Sequence, residues 1–127
     1  MFYTPDMNNG NNVFVFGSNL AGRHGAGAAK IARQHWGALW GQYHGRTGGM
    51  SYAIPTKDAE LRVLPLQRVR EYVNDFIWYA KDHPELTFLV TAIGCGLAGY
   101  EPYEIAPFFA YAPANCILPA EFNSVLA

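Results

Sequence analysis

The sequence predicts an α/β fold in which helices cover both faces of a largely parallel sheet. Short apolar runs, typical of buried strands, alternate along the chain with segments whose apolar residues recur every three or four positions. Strands that alternate with helices pair in parallel, because each helix returns the chain to the same end of the sheet. Two glycine-rich segments each follow a predicted strand directly, so both are expected at the ligand-binding edge of the sheet.

Length and composition fit one globular domain. The 127 residues are 50% hydrophobic and 15% aromatic, which is enough to fill one core but not two. We therefore predict a single domain over residues 1–127, with residues 1–12 as a loose, turn-rich lead-in. The net charge of −1 predicts no non-specific nucleic-acid binding, and it leaves room for a local basic patch.

The cysteines and the apolar runs bear on the compartment. Cys95 and Cys116 fit neither a disulfide framework nor a metal-ligand spacing, so they are interpreted as reduced thiols. No apolar run approaches the roughly 20 residues of a membrane span, and residues 1–12 lack the features of a signal peptide. The sequence thus predicts a cytoplasmic protein that binds no membrane, no metal and no cofactor. It does not predict an oligomeric state.

In the first half of the chain the sequence predicts a strand, a helix and a glycine-rich connection. Residues 13–16 form an apolar run without polar alternation, as expected for a strand buried on both faces. After the glycine-rich residues 17–27, a helix is expected to begin near residues 25–28 and to end at about His35. Residues 37–50 contain five glycines and are interpreted as an ordered loop or an irregular hairpin.

The middle of the chain continues the alternation. Residues 51–56 form a second strand candidate, which Pro55 is expected to end. Apolar residues at spacings of three and four then predict an amphipathic helix over residues 66–81. Residues 87–93 form the clearest strand candidate of the chain.

The last quarter contains the second glycine-rich segment, residues 94–100. A helix is predicted over residues 102–110, with Pro102 suited to its first turn. A last buried strand is expected over residues 115–118, closed by Pro119. The predicted order is therefore strand, helix, strand, helix, strand, helix, strand.

The first glycine-rich segment, residues 17–27, is named loop 1. Glycine lets an anion approach the backbone amides, and the following helix offers free N–H groups at its positive end. Taken alone, loop 1 fits a tight strand-to-helix turn without a ligand equally well. It is not the dinucleotide G-x-G-x-x-G pattern, because Lys30 takes the place of the third glycine, and no Gly-Lys-Ser/Thr P-loop follows.

The second segment, residues 94–100, is named loop 2, and it favours a ligand. A diphosphate carries two anionic groups, which two glycine loops at one sheet edge hold from two sides. Each backbone hydrogen bond to a charged oxygen contributes about 1.5–3 kcal/mol net. Roughly four to six of them support micromolar binding after ordering costs.

Three motifs, in this order along the chain, resemble those of one family. They are residues 19–29, Pro55-Thr56-Lys57 and residues 93–99. Together they are similar to the ligand loops and middle-strand motif of macrodomains, the fold that binds ADP-ribose. The nearest subgroup contains terminal ADP-ribose protein glycohydrolase and the antitoxin macrodomains that remove ADP-ribose from DNA. The resemblance spans about residues 13–119 and implies a three-layer α/β/α macrodomain-like fold with a mixed, largely parallel sheet.

The resemblance also implies an activity, the cleavage of an ADP-ribosyl linkage. In the subgroup the lysine attacks the anomeric carbon of the distal ribose, which makes Lys57 the candidate catalytic residue. A solvated lysine at a strand end is the alternative, and attack requires an unprotonated amine. The protein-directed enzyme has an acidic residue in the second loop where this chain has Ala98, which leaves Asp58, Glu101 and Glu104 as candidate substitutes.

The expected ligand is ADP-ribose or a related nucleotide diphosphate, free or attached to a protein or DNA. Three hypotheses stay open: an ADP-ribosyl glycohydrolase, a non-catalytic ADP-ribose-binding module, and a protein-interaction scaffold with no nucleotide ligand. The residues expected to contact the ligand are Asn19, Gly22, His24, Gly25, Ala26, Gly27, Gly94, Cys95, Gly96, Leu97, Ala98, Gly99 and Tyr100.

Several side chains of the two loops have two interpretations. Asn19 contacts a ribose hydroxyl or forms a turn, and His24 contacts a phosphate or shapes the loop. Tyr100 is the aromatic residue favoured for the nucleotide pocket, whereas Trp36 is expected in the core. Loop amides favour a thiolate at Cys95, but a small residue that fits the phosphate loop is the preferred interpretation.

Overall fold

A computed structural model describes residues 3–127 of the chain. It confirms the three-layer α/β/α class, with helices on both faces of a five-stranded sheet. The strands are β1 (Asn12–Asn19), β2 (Gly45–Thr47), β3 (Ser51–Lys57), β4 (Thr87–Val90) and β5 (Cys116–Ile117). The helices are α1 (Gly27–His35), α2 (Leu66–Asp82), α3 (Pro102–Ile105) and α4 (Ala120–Leu126), with 3-10 turns at Pro5–Met7 and Ala106–Phe109.

The sheet has the order β2-β3-β1-β4-β5 and is mixed and largely parallel, as predicted. β1 lies at its centre, parallel to β3 on one side and to β4 on the other, and β5 is parallel to β4. Only β2 is antiparallel, paired with β3 as one arm of a hairpin. Because β1, β3 and β4 run in the same direction, the segments that follow them meet at one edge of the sheet.

Two apolar cores flank the central strand. Phe14 and Phe16 of β1 pack on one face with α1 and Trp36, whereas Val13 and Val15 pack on the other face with α2. All four β1 side chains are fully buried, as the sequence predicts for a strand between two helical layers. Trp36 is also fully buried and stacks on Phe14 with ring centroids 5.3 Å apart, which confirms its expected role in packing.

Pro55 does not end β3, which corrects the prediction. The strand continues to Lys57, and β1 pairs with it through Ser18 opposite Pro55 and Asn19 opposite Lys57. The register shifts between Ser18 and Asn19, so an irregularity of the ladder falls beside the proline. Proline cannot donate to a ladder and is tolerated at such irregularities. The consequence is that Lys57 is held as a strand residue at the edge of the sheet.

Two predicted strands are shorter than expected. β4 ends at Val90 rather than at residue 93, because the hydroxyl of Thr91 donates to the Val15 carbonyl at 2.7 Å and a turn follows at once. β5 contains only two residues and is an edge strand rather than a buried one, since Ile117 is 48% exposed. Both differences follow from side-chain partners that an apolar run does not reveal.

The helices follow the predictions with two exceptions. α1 and α2 agree with the expected ranges, and residues 37–50 form the irregular hairpin through β2. The predicted helix over residues 102–110 is α-helical only to Ile105 and continues as a 3-10 turn. Pro107 accounts for this, because it has no N–H to donate to the preceding turn. α4 was not predicted.

The first residues of the chain are tied to the sheet from Tyr3 onward. The Tyr3 hydroxyl donates to the carbonyl of Val90 at 3.1 Å, and its ring meets Phe14 edge-on. The predicted loose lead-in includes residues 1 and 2, which lie outside the described residues. Within residues 3–127, no helix combines the length and apolarity that crossing a bilayer requires.

Candidate functional site

An open cleft of about 1010 Å³ lies where the carboxyl ends of β1, β3 and β4 meet. Loop 1 and loop 2 line it together, although they are far apart in sequence. A Cβ built on Gly27 would lie 3.6 Å from Cδ1 of Leu97, so the loops come within contact distance of each other. A Cβ on Gly17 would lie 3.8 Å from the amide nitrogen of Gly94. The volume is at the upper end of the range of about 300–1,000 Å³ for ligand pockets.

The cleft gathers most of the residues that the sequence predicts for the site. Gly22 and His24 are the two predicted ligand contacts that do not line it. The predicted residues that do line it are Asn19, Gly25, Ala26, Gly27, Lys57, Gly94, Cys95, Gly96, Leu97, Ala98, Gly99 and Tyr100.

Loop 1 is closed by the side chain of Asn19. Its Nδ2 donates to the Arg23 carbonyl at 2.8 Å, and its Oδ1 accepts from the Arg23 amide at 3.0 Å. The amide of Leu20 donates to the carbonyl of Lys57 at 3.0 Å, which fastens the loop to the end of β3. Asn19 is only 8% exposed, and these contacts favour its turn-forming interpretation.

Gly22 and His24 are residues of loop 1 that contact residues 37–44 and do not line the cleft. The Gly41 amide donates to the Gly22 carbonyl at 2.8 Å, and a Cβ on Gly22 would lie 2.4 Å from the Gly41 carbonyl carbon. His24 is fully buried, with Nε2 3.0 Å from the carbonyl of Gln42. Burial lowers the pKa of His24, so the imidazole is neutral near pH 7 and donates to that carbonyl. Both residues shape the loop, and neither lines the cleft where they were predicted to contact a ligand.

The segment held by Gly22 and His24 brings Trp40 to the cleft. Trp40 lines it and is 58% exposed, which is unusual for so large an apolar side chain. The guanidinium of Arg33 lies 5.6 Å from the centroid of its ring. The cleft therefore has an aromatic face beside loop 1, in addition to Tyr100 beside loop 2.

The start of α1 presents backbone donors to the cleft. Ala26 is the N-cap, and it has no side-chain oxygen to satisfy the first-turn amides. Gly27 follows with φ of +58°, a left-handed conformation that favours glycine. Gly27, Ala28 and Ala29 all line the cleft. An uncapped helix start of this kind is a binding site for an anion.

Loop 2 is closed by short-range hydrogen bonds. The Cys95 amide donates to the Ala92 carbonyl at 3.0 Å, and the Tyr100 amide donates to the Gly94 carbonyl at 2.9 Å. Gly94 and Gly99 have φ of +76° and +84°, so both turns need glycine. These bonds leave the middle of the loop facing the cleft.

The middle of loop 2 has unused donors. Across residues 3–127, the amides of Gly96, Leu97 and Ala98 donate no hydrogen bond to backbone or side chain. Consecutive unpaired N–H groups in a turn form a concave anion-binding surface. Together with the start of α1, they give the cleft donors on two opposing walls.

Tyr100 and Cys95 are held in place in loop 2. The Tyr100 hydroxyl donates to the Leu64 carbonyl at 2.6 Å, so only its ring serves the cleft. Burial, together with the nearby carboxylates of Glu121 and Glu101, raises the pKa of the Cys95 thiol to about 11. The thiolate form of Cys95 is therefore disfavoured, and Cys95 is a small, neutral residue of loop 2.

Lys57 lies at the end of β3, half-buried and facing the cleft. Within residues 3–127 it forms no ion pair with a carboxylate. Its neighbour Asp58 accepts hydrogen bonds from the amides of Glu60 and Arg62. The Arg62 amide is the main reason that the pKa of Asp58 is lowered, so Asp58 stays ionised in a turn and is no proton donor.

The other two candidate acids have different surroundings. Glu104 completes a capping box by accepting from the Glu101 amide at 3.0 Å, and it does not line the cleft. Glu101 does line it. Glu121 of α4 lines the cleft as well, and no sequence pattern indicated it, because α4 has no recognisable periodicity. Carboxylates thus stand beside loop 2, whereas Arg23 stands on loop 1.

The comparisons with known proteins add no relative. No protein-family model, no curated protein and no solved structure matches this chain. In the part of the chain that the structure describes, no three His, Cys, Asp or Glu side chains form a group able to hold a metal ion. The fold and the site define an α/β protein with a cleft between two glycine loops, and its function must be argued from that cleft.

Proposed function

We propose that this chain binds the diphosphate of ADP-ribose, or of a related nucleotide, between loop 1 and loop 2. The observation that carries the proposal is that residues with unpaired backbone amides line one cleft from both loops. One set is the uncapped start of α1 at residues 27–29, and the other is the amides of residues 96–98. Two separate donor sets match a ligand with two linked anionic groups better than a single phosphate.

The rest of the cleft suits a nucleotide. Trp40 and Tyr100 offer ring faces for a base or a ribose, one beside each loop. The side chain of Arg23 provides a positive charge for the phosphates, whereas Glu101 and Glu121 provide acceptors for hydroxyl groups. The resemblance of the loops to those of macrodomains supports ADP-ribose as the nucleotide.

Lys57 supports hydrolysis of an ADP-ribosyl linkage as an extension of this proposal. Its side chain faces the same cleft as both loops and has no carboxylate partner within residues 3–127. An unprotonated Lys57 amine attacks the anomeric carbon of a ribose held by its diphosphate, and the bond from that carbon to the macromolecule breaks. Water then displaces the amine from the same carbon, which releases ADP-ribose and restores Lys57. Glu101 or Glu121, rather than Asp58, is the group that protonates the departing atom.

The proposal includes a cytoplasmic location. Cys95 and Cys116 are free, and the pKa of Cys116 is raised by burial to about 12. Free thiols of this kind persist in reducing compartments.

Calorimetric titration with ADP-ribose tests binding. We expect a Kd on the order of micromolar for ADP-ribose, and at least tenfold weaker binding of adenosine, which lacks the diphosphate. The Gly96→Val variant should lose affinity for ADP-ribose without losing stability, because a Cβ there meets no atom within 4 Å. A dissociation constant of about 1 mM corresponds to a binding free energy of about −4 kcal/mol. Absence of heat at that concentration of ADP-ribose would rule the proposal out.

Release of ADP-ribose from modified protein and from modified DNA tests hydrolysis. Lys57→Ala should abolish release and keep ADP-ribose binding, since the loops supply the diphosphate contacts. Lys81→Ala is the matched control, because Lys81 is exposed on α2, away from the cleft. Turnover that survives in the Lys57 variant would leave the chain as a binding module.

A further inference from the structure

Acidic residues are concentrated in the second half of this chain, whereas basic residues occur in both halves. Between residues 7 and 57 the sequence has five Lys and Arg and no Asp or Glu, whereas nine of its ten acidic residues follow Lys57. The first segment builds β1, α1, β2 and β3, and the second builds α2, α3 and α4. α1 packs on one face of the sheet and α2 on the other. Although the net charge is only −1, the face that carries α1 is basic and the opposite face is acidic.

An exposed tryptophan lies within the basic face. We define the Trp40 patch as Trp40, Arg23, Lys30 and Arg33. Arg33 places its guanidinium 5.6 Å from the Trp40 ring centroid, and Lys30 lies three residues before it on α1, one turn away. Arg23 and Trp40 both line the mouth of the cleft. Arg23, Lys30 and Arg33 are exposed.

The backbone on both sides of Trp40 is fixed, so its ring is held at the surface. The Leu39 amide donates to the Thr47 hydroxyl at 2.9 Å, and the Gly41 amide donates to the Gly22 carbonyl at 2.8 Å. The His24 ring meets the indole with centroids 6.1 Å apart. A ring that is anchored but 58% exposed is available for stacking at little ordering cost.

We propose that the Trp40 patch binds a single strand of nucleic acid. One base stacks on the indole, and the backbone phosphates are neutralised by Arg23, Lys30 and Arg33. A single strand fits better than a duplex, whose bases are already stacked on one another. An acidic peptide matches the charge but offers no base for the indole. The inference goes beyond the proposed function, since its ligand carries no ADP-ribose, but it shares Trp40 and Arg23 with the proposed nucleotide site.

A second exposed tryptophan with a cation beside its ring lies on the opposite face and serves as a control. Trp78 of α2 is 67% exposed, and the Lys81 amine lies 5.4 Å from the centroid of its ring. Asp75 and Asp82 stand three residues before and four residues after Trp78, on the same side of the helix. A strand stacked on Trp78 would bring its phosphates close to these carboxylates. Trp78 thus has the exposure and the cation of Trp40 without the basic surroundings.

Fluorescence anisotropy with a short fluorescein-labelled oligothymidine tests the proposal on the full chain. We expect binding at about 50 mM salt that weakens as salt rises, with a log–log slope of roughly −2 for three phosphates. Trp40→Ala should weaken binding about tenfold or more, and Trp40→Leu, which keeps an apolar side chain, should weaken it as well. Trp78→Ala should leave binding unchanged.

The salt series separates specific phosphate contacts from overall charge. Lys30→Gln should reduce the slope by about 0.7, whereas Lys81→Gln should leave it unchanged. No binding at about 50 mM salt, an equal loss in the Trp40 and Trp78 variants, or displacement by polyglutamate as effective as by unlabelled oligothymidine would each overturn the proposal. ADP-ribose affinity is measured separately by calorimetry, so its failure and the failure of this proposal are distinguishable.

Discussion

Loop 1 and loop 2 line the same cleft, but the chain holds them in different ways. Loop 1 is bonded to β3 through Leu20, closed on itself through Asn19, and fastened to residues 37–44 through Gly22 and His24. Loop 2 is closed by backbone hydrogen bonds between residues close in sequence, and the Tyr100 hydroxyl ties its last residue to the Leu64 carbonyl. Its tip is open, since Leu97 is 68% exposed.

The difference assigns different roles to the two walls. Loop 1 is braced by long-range contacts and presents an uncapped helix start that needs no rearrangement to receive an anion. Loop 2 has fewer hydrogen bonds to residues outside it than loop 1, and segments of that kind open locally at lower free energy. We therefore expect loop 1 to be the fixed wall and loop 2 to be the wall that orders around a ligand, with the corresponding entropic cost.

The largest effect should come from disrupting the contacts of loop 1 with residues 37–44. Gly22→Val places a side chain at φ of +67° and drives its Cβ to 2.4 Å from the Gly41 backbone. We expect a loss of more than about 3 kcal/mol in the free energy of unfolding, measured by urea denaturation. Gly10→Val is the control, because Gly10 also has a positive φ, of +92°, but meets no atom within 4 Å. Equal losses of unfolding free energy in the two variants would contradict a stabilising role for the contact between Gly22 and Gly41.

The next effect concerns the thiol of loop 2. A pKa of about 11 for Cys95, against an ordinary value of 9.0, lowers its thiolate fraction at pH 8 about a hundredfold. In a Cys116→Ser background, alkylation by iodoacetamide should be slower than that of a free cysteine by this factor. Alkylation as fast as that of a model thiol would show that loop 2 opens more readily than its contacts indicate.

The pH dependence of stability should report the brace at His24. Because burial lowers the pKa of His24 in the folded state, the unfolded chain binds the proton more tightly. The contribution of this residue is complete above the unfolded pKa near 6.5 and decreases as the pH falls below it. Thermal melts between about pH 5 and pH 8 should show a steeper acid-side loss in the wild type than in His24→Gln. Parallel curves would count against a neutral, buried His24.

The smallest effect on stability is expected at the tip of loop 2. Leu97→Ala removes a side chain that is 68% exposed, so stability should change by less than about 0.5 kcal/mol. Affinity for ADP-ribose should still decrease by a few fold, because Leu97 covers the cleft opposite Gly27. A large loss of stability would mean that loop 2 is braced as firmly as loop 1.

The sequence predicted the framework of this molecule better than its details. Apolar runs and helical spacing located β1, α1 and α2, because these elements face a core and their periodicity records it. The continuation of β3 past Pro55 and the early end of β4 at Val90 depend on partners in other strands, which one sequence does not show.

The site divides in the same way. Glycines after strands predicted which loops line the cleft, because tight backbone turns favour glycine and are therefore visible in the sequence. The burial of His24 and the position of Glu121 depend on how residues 37–44 and α4 pack, so composition alone did not reveal them. The charge separation between the two faces also becomes visible only once the helices are placed.

Amide NMR of the ¹⁵N-labelled chain during titration with ADP-ribose tests the central claim most directly. The account predicts that shifts and slowed hydrogen exchange concentrate at residues 27–29 and 96–98, whose unpaired amides belong to residues that line the cleft. The same amides should stay unperturbed by adenosine. Shifts confined to one loop, or located away from the cleft, would contradict a diphosphate held between two walls.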